Sequence, residues 1–81
     1  MWFIYMILCV DNSIYTGTTN NLERRFNEHM SGRGGHYTQS HQPKKILYFE
    51  KFTTKSEALK REAQIKGWRR EKKLNLINLN Q

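Results

Sequence analysis

The sequence predicts an α/β fold of the α+β type, in which a three-stranded antiparallel sheet is flanked by helices. Three stretches rich in β-branched, aromatic and aliphatic residues, at 2–9, 13–18 and 45–52, predict the strands. Capping residues and apolar residues at helical spacing follow the second and third stretches and predict helices there. A chain of 81 residues has room for one domain, which we place at 1–81.

The first two strands are expected to form a hairpin that places two tyrosines on one face. Residues 10–12 suit a three-residue loop in which Asn12 takes a positive φ. In that register Tyr5 lies opposite Gly17, and Tyr5 and Tyr15 point to the same face of the sheet. A two-residue turn would instead split the tyrosines between opposite faces.

The first helix is expected to start at Asn20 or Asn21, since Glu23 stands three residues after Asn20 as in a capping box. Arg25 and His29 lie one turn apart and flank its apolar side. That side is predicted to consist of Leu22, Phe26 and Met30.

The second half of the chain carries one strand and two helices. Residues 31–43 form a polar, glycine-rich loop whose length indicates a functional role, and no helix or strand is assigned within it. The third strand follows Pro43. A second helix runs from about Ser56 to Gly67, a natural C-terminal stop, and a short basic helix covers about 69–76.

Glu62 is the most informative residue of the second helix. It falls near the middle of the side expected to face inward, which comprises Ala58, Leu59, Ala63 and Ile65. A carboxylate on an apolar face costs free energy unless it is paired or binds a cation. Glu62 could pair with Lys66, four residues later, or bind a cation. The spacing alone does not decide between these two roles.

The positive charge is concentrated in the C-terminal half of the chain. The formal net charge is +7; residues 1–43 sum to zero, whereas residues 44–81 carry eleven Lys and Arg against four Glu. This basic C-terminal half predicts binding to a polyanion, and nucleic acid is the first candidate. A merely solubilising surface is the alternative.

The composition further predicts a cytoplasmic protein with no membrane partner. Cys9 is the only cysteine and cannot form an internal disulfide, so we expect a reducing compartment and a buried thiol. The apolar stretch at 2–10 is too short to span a membrane.

Several of these residues could act on a phosphate group. Arg25 offers a planar fork for phosphate oxygens and His29 can exchange a proton near neutral pH, although an exposed basic helix face is the simpler interpretation. Gly17, opposite Tyr5, would leave an open position against the backbone that a phosphate could occupy. Taken alone, Tyr5 and Tyr15 also have a simpler interpretation, as aromatic residues of the core.

As a set, these residues resemble the GIY-YIG nuclease domain. The first motif appears as Phe-Ile-Tyr at 3–5 and the second as Tyr-Thr-Gly at 15–17, followed by Arg25, His29 and Glu62. The resemblance runs from residue 2 to about residue 77. It is closest to the small stand-alone members, which carry a similar YTG, ERR, GRG-x-YT and REAQIK series. Phenylalanine at the first glycine position is a departure that leaves the tyrosine and its strand intact.

The resemblance implies a phosphodiesterase that uses one divalent metal, Mg²⁺ or Mn²⁺. By carry-over, Glu62 would hold the metal and Arg25 would stabilise charge on the scissile phosphate. Tyr5 or Tyr15 would be the general base, assisted by His29, and the choice between the tyrosines stays open. A wider set is expected to contact nucleic acid: Gly17, Arg24, Arg33, Lys66, Arg69, Arg70, Lys72 and Lys73.

We therefore expect a metal-dependent DNA endonuclease that acts on repair or branched intermediates. The alternatives are a non-catalytic nucleic-acid-binding module on the same scaffold and a small basic RNA-associated protein. No separate DNA-binding domain is recognised within residues 1–81, so we expect either weak affinity for substrate or a partner protein that supplies it.

Overall fold

The computed structural model describes residues 1–79, and the last two residues of the predicted domain at 1–81 lie outside the described residues. The strands run antiparallel in the order β2-β1-β3. The predicted α+β class is confirmed. In chain order the elements are β1 (Trp2–Cys9), β2 (Ile14–Thr19), α1 (Leu22–Met30), α2 (His36–Ser40), β3 (Pro43–Phe52), α3 (Lys55–Lys66) and α4 (Arg70–Leu79).

The β1–β2 hairpin has the predicted register. Tyr5 pairs with Gly17 and Ile7 pairs with Tyr15, and Asn12 takes a φ of 74° in the turn. Asparagine tolerates this left-handed conformation better than most residues, because its short polar side chain can bond locally. As a result the rings of Tyr5 and Tyr15 lie on one face, with centroids 6.2 Å apart.

The central strand β1 is covered on both faces, so each face carries its own core. On one face Ile4 and Met6 pack against buried residues of α3 and α4, namely Ala58, Ile65 and Ile77. On the other face the core comprises Tyr5, Ile7 and Cys9, packed against Tyr15, Leu22, Phe26, Tyr37 and Ile46. The helices α1 and α2 therefore cover the face that carries the two tyrosines, and Cys9 is a buried core residue as expected.

The helix α1 is capped at Asn21, one of the two predicted start positions, but its cap contacts and its apolar side differ from the prediction. Its N-cap is Asn21, whose side chain accepts from the backbone N–H of Arg24, so the proposed capping box of Asn20 with Glu23 is wrong. Met30 was expected in the apolar side but is 49% exposed, whereas His29 is only 1% exposed. His29 faces inward, where its two ring nitrogens contact Tyr5 of β1 and Thr38 of α2.

The segment expected to be an irregular loop contains α2, and β3 begins earlier than predicted, at Pro43. No helix within residues 1–79 combines the length and the apolar character needed to cross a membrane.

The helix α3 is fixed at its start by a capping box between Thr54 and Glu57. Of its predicted inward residues, Ala58 and Ile65 are buried, but Leu59 is 45% exposed and Ala63 is exposed. The contact with the sheet is a narrow seam along one side of the helix, so the predicted arc was too wide. The helix α4 ends at Leu79, beyond the predicted residue 76.

Candidate active site

A chain of buried hydrogen bonds links the first strand to both helices on the tyrosine face. The hydroxyl of Tyr5 lies 2.9 Å from Nε2 of His29, and Nδ1 of the same ring lies 2.7 Å from the Thr38 hydroxyl. Tyr5, His29 and Thr38 are 2%, 1% and 3% exposed. The ring of Tyr15 meets the edge of the His29 ring at a centroid distance of 5.1 Å.

Burial shifts the protonation of both ring systems in the direction of the neutral form. It raises the pKa of Tyr5 to about 12, and the neighbouring Arg25 guanidinium offsets only part of that effect. Burial, followed by the positive charge of Arg25, lowers the pKa of His29 to about 4. At neutral pH the pair therefore consists of a neutral phenol and a neutral imidazole.

Two glycines let these side chains sit where they do. A Cβ at Gly17 would come within 2.5 Å of the Tyr5 hydroxyl, and a Cβ at Gly34 would come within 2.1 Å of Nδ1 of His29. The position at Gly17 is thus filled by the Tyr5 hydroxyl and the Tyr15 ring, so the expectation of an open phosphate position there was wrong. The missing side chain makes room for the tyrosines themselves.

Arg25 reaches from α1 to the same site. One terminal nitrogen donates to the Gly34 carbonyl at 2.8 Å and the other pairs with Glu28 at 3.2 Å. Its side chain is 30% exposed. Because His29 is buried beneath the tyrosines, Arg25 and His29 do not form the shared exposed basic face that the spacing suggested.

Glu62 approaches from the opposite layer of the molecule and ends at the outer strand β2. Its carboxylate accepts a hydrogen bond from the Thr18 hydroxyl and pairs with Lys66 at 2.7 Å. The same Lys66 lies 6.0 Å from the centroid of the Tyr15 ring. The Glu62 side chain is 17% exposed, and its charge also acts to raise the pKa of Tyr5.

The donor set around Glu62 suits a hard cation. A carboxylate and a hydroxyl supply oxygen ligands, as Mg²⁺ and Mn²⁺ prefer, with water free to fill the other positions. Within residues 1–79 no three His, Cys, Asp or Glu side chains come together as a metal-binding group. A zinc site of the usual four-ligand kind therefore does not fit here.

Most of the residues expected to contact nucleic acid lie on the surface, on more than one element. Arg24 donates to Asn20 at 2.9 Å and Arg33 to Ser31 at 3.2 Å, both on the α1 side. Lys72 lies 4.4 Å above the Trp68 ring. The exposed members of the set are Arg24, Arg33, Lys66, Arg69, Arg70 and Lys72, whereas Lys73 is half-buried and Gly17 is buried.

Sequence reasoning missed Thr38 and Gly34, which shape the site from the supposed loop. The signal available was the glycine-rich stretch at 32–38, which contains Gly34 and ends in Tyr37 and Thr38. Spacing alone could not connect Thr38 with His29, because nine residues and a change of direction separate them.

Comparison with known proteins identifies the family of this chain. The family model of the GIY-YIG catalytic domain matches residues 1–75. Over 76 residues the chain is 47% identical to a UPF0213 protein of Staphylococcus saprophyticus, with 94% of this chain and 93% of the relative covered. A UPF0213 protein of Haloquadratum walsbyi is 46% identical over 74 residues, with 91% and 83% covered.

A solved structure is similar over nearly the whole chain. The solution NMR structure of a UPF0213 protein from Bacillus halodurans is 36% identical and superposes with a TM-score of 0.62, with 98% of this chain and 85% of that chain covered. The motifs, the fold and the matched length lead to one conclusion. The chain belongs to the family of GIY-YIG nuclease domains.

Proposed function

We propose that this protein is a divalent-metal-dependent endonuclease that hydrolyses phosphodiester bonds in DNA, with branched or repair intermediates as substrates. The observation that carries the proposal is the contact of 2.9 Å between the Tyr5 hydroxyl and Nε2 of His29, beside the Arg25 guanidinium. A phenol with a proton acceptor behind it and a cation beside it can take a proton from water next to a phosphate.

Proton transfer in this site needs both members of the pair. Because burial raises the pKa of Tyr5 to about 12, a free Tyr5 phenolate is scarce at neutral pH and cannot serve as the resting base. The difficulty is removed when the phenol receives a proton from water while passing its own proton to Nε2 of His29. Burial is the larger cause of the lowered pKa of His29, and the positive charge of Arg25 is the second. An anionic phosphate beside Arg25 would counter that charge, and Nε2 of His29 would then accept a proton more readily.

The bond changes follow from that transfer. The water oxygen forms a bond to phosphorus, the bond from phosphorus to the leaving sugar oxygen breaks with its electron pair, and that oxygen takes a proton from solvent water. Arg25 stabilises the charge that develops on the phosphate oxygens. When bound by Glu62, a divalent cation supplies further positive charge for the same purpose.

A nucleic-acid-binding module without catalytic activity is the second candidate. The observation in its favour is the Glu62–Lys66 ion pair of 2.7 Å, which already neutralises the carboxylate. In that case Glu62 would serve the fold and the basic surface would account for the whole function.

Cleavage of labelled duplex, branched and single-stranded DNA, with Mn²⁺ or with a chelator, tests the proposal. We expect cleavage of at least one substrate with Mn²⁺ and none with the chelator. Binding to these substrates without cleavage of any of them would favour the second candidate.

A matched pair of variants then identifies the base. Tyr5→Phe removes the hydroxyl that contacts His29 and should lower cleavage at least about a hundredfold, the scale of general-base catalysis. Tyr15→Phe removes the hydroxyl of a half-buried residue, and this hydroxyl makes no hydrogen bond within residues 1–79, so we expect a smaller loss. A larger loss in Tyr15→Phe would transfer the role of base to Tyr15.

A further inference from the structure

We propose that Thr38 is a positioning residue that holds His29 in the tautomer with hydrogen on Nδ1, leaving Nε2 free to accept the proton of Tyr5. The inference rests on the proposed function for its catalytic consequence, but the tautomer itself is a property of the resting protein. Thr38 belongs to α2, in the segment that the sequence left unassigned.

The geometry leaves the His29 ring few choices. Thr38 and Tyr5 contact the two ring nitrogens at 2.7 Å and 2.9 Å, and all three residues are buried. Burial of this degree leaves the two side chains as the partners of the ring. One nitrogen of a neutral imidazole must donate and the other must accept.

The protonation states of the neighbours decide the direction. Tyr5 keeps its proton at neutral pH because burial raises its pKa, and Arg25 beside it can only donate. The hydrogen of the Tyr5 hydroxyl therefore has one acceptor in this contact, Nε2 of His29. Nδ1 must then carry the ring hydrogen and donate it to the Thr38 hydroxyl oxygen.

The glycine-rich segment holds this arrangement together. Gly34 lies so close to the ring that a Cβ there would come within 2.1 Å of Nδ1, and the Gly34 carbonyl accepts from Arg25 at 2.8 Å. The His29 ring is therefore confined between Gly34 and the sheet. In this position its Nδ1 contacts Thr38 of α2. A buried group that fixes the tautomer of a catalytic histidine in this way can have a large effect on rate.

Loss of the Thr38 hydroxyl should change the tautomer of the His29 ring. Without an acceptor at Nδ1, the neutral imidazole gains by moving its hydrogen to Nε2, since an unpaired buried N–H is costly. Nε2 would then present a hydrogen to Tyr5 instead of a lone pair. The proton of Tyr5 would have no acceptor in His29.

The test compares Thr38→Val, which keeps the shape of the side chain, with Thr38→Ser, which keeps the hydroxyl. The full chain is labelled with ¹⁵N-histidine, and long-range ¹H–¹⁵N spectra near pH 7 report which ring nitrogen is protonated. The His29→Gln variant assigns the His29 signals among the three histidines. We expect hydrogen on Nδ1 in the wild type and in Thr38→Ser, and hydrogen on Nε2 in Thr38→Val.

Cleavage with Mn²⁺ is measured on the same samples. Thr38→Val should be at least about tenfold slower than the wild type, the lower range for the loss of an orienting partner, and Thr38→Ser should recover most of the rate. A wild-type spectrum with hydrogen on Nε2 would overturn the proposal even if Thr38→Val does not fold. Equal, measurable cleavage by Thr38→Val and the wild type would overturn it too. If the wild type carries its hydrogen on Nδ1 but no protein cleaves DNA, only the proposed function is refuted.

Discussion

His29 shows at the scale of one residue how burial changes the meaning of a motif. The spacing of Arg25 and His29 predicted two neighbours on a helix, and they are neighbours, but only Arg25 keeps contact with solvent. His29 instead lies between Tyr5 and Thr38 as a neutral ring. Its contribution to stability should therefore depend on pH.

The pKa of His29 is lowered to about 4 from its ordinary value of 6.5. As pH falls, the unfolded chain binds this proton before the folded chain does. The stability from neutral His29 is thus fully present above about pH 6.5 and is lost as pH falls toward about 4, by about 1 kcal/mol per pH unit.

Urea unfolding of the wild type and His29→Gln at several pH values between 7 and 4 checks this expectation. His29→Gln should be less stable at pH 7 and should lose stability more slowly as pH falls. The exposed His36→Gln is the matched control and should keep the slope of the wild type. A wild-type slope equal to that of His29→Gln across this window would contradict the account.

The hairpin register is the part of the site that the sequence determined. The loop at 10–12 and its positive φ at Asn12 fixed the pairing of Tyr5 with Gly17, and with it the shared face of the tyrosines. The burial of His29 could not be predicted in this way. It depends on Thr38, whose approach requires the tertiary fold.

At the scale of elements, the helix with the strongest end signals, α3, was predicted, and the shortest helix, α2, was not. Thr54 and Glu57 cap α3 reciprocally, and Gly67 ends it. In contrast α2 has five residues, and Gly35 at its start has a φ of 114° and offers no side-chain cap. A single helical turn of this kind depends on tertiary contacts, here Thr38 with His29 and Tyr37 with Tyr15, which local sequence does not encode.

Helix α3 carries Glu62, so its cap should be measurable in stability. Thr54→Ala removes the hydroxyl that accepts from the backbone N–H of Glu57, and we expect a loss of about 1 kcal/mol in the free energy of unfolding. Thr53→Ala, at the adjacent exposed position, should change it by less than about 0.5 kcal/mol. Equal losses in chemical denaturation would show that the cap does not stabilise α3.

At the scale of the whole molecule, the two covered faces of the sheet separate the parts of the site. The tyrosine face holds Tyr5, His29 and Arg25, while Glu62 comes from the other layer and meets β2 at Thr18. Helical spacing predicted that Glu62 lies on the inward side of α3 but could not tell which partners it would find. Lys66 contacts it from the next turn of α3, and Thr18 contacts it from the edge strand β2.

The excess charge of residues 44–81 is a property of the molecule that can be tested directly. If Arg69 and Arg70 bind phosphates, replacing both with Gln should weaken DNA binding and lower the dependence on salt. The slope of log K against log salt should fall by about 0.9 for each phosphate that the protein no longer neutralises.

The matched control replaces Lys44 and Lys45 with Gln, which removes the same charge from an exposed part of β3 outside the expected DNA-binding set. Fluorescence anisotropy with labelled DNA at several salt concentrations gives both slopes. Equal slopes for the two double variants would mean that net charge alone, without a defined surface, accounts for binding.

The central claim is that Glu62 holds a divalent cation for cleavage, and that its pairing with Lys66 is incidental. Glu62→Gln keeps the size of the side chain and removes the charge, whereas Lys66→Gln removes only the partner in the ion pair. Single-turnover cleavage at saturating protein separates the rate of reaction from DNA affinity. DNA binding by both variants is measured beside it.

We expect Glu62→Gln to lower the Mn²⁺-dependent rate constant at least about a hundredfold, as when a key electrostatic group is lost, with DNA bound as well as or better than by the wild type. Lys66→Gln should bind DNA more weakly and still react at a rate of the wild-type order. Cleavage by Glu62→Gln at the wild-type rate, or equal losses of rate in the two variants, would contradict the assignment of the metal to Glu62.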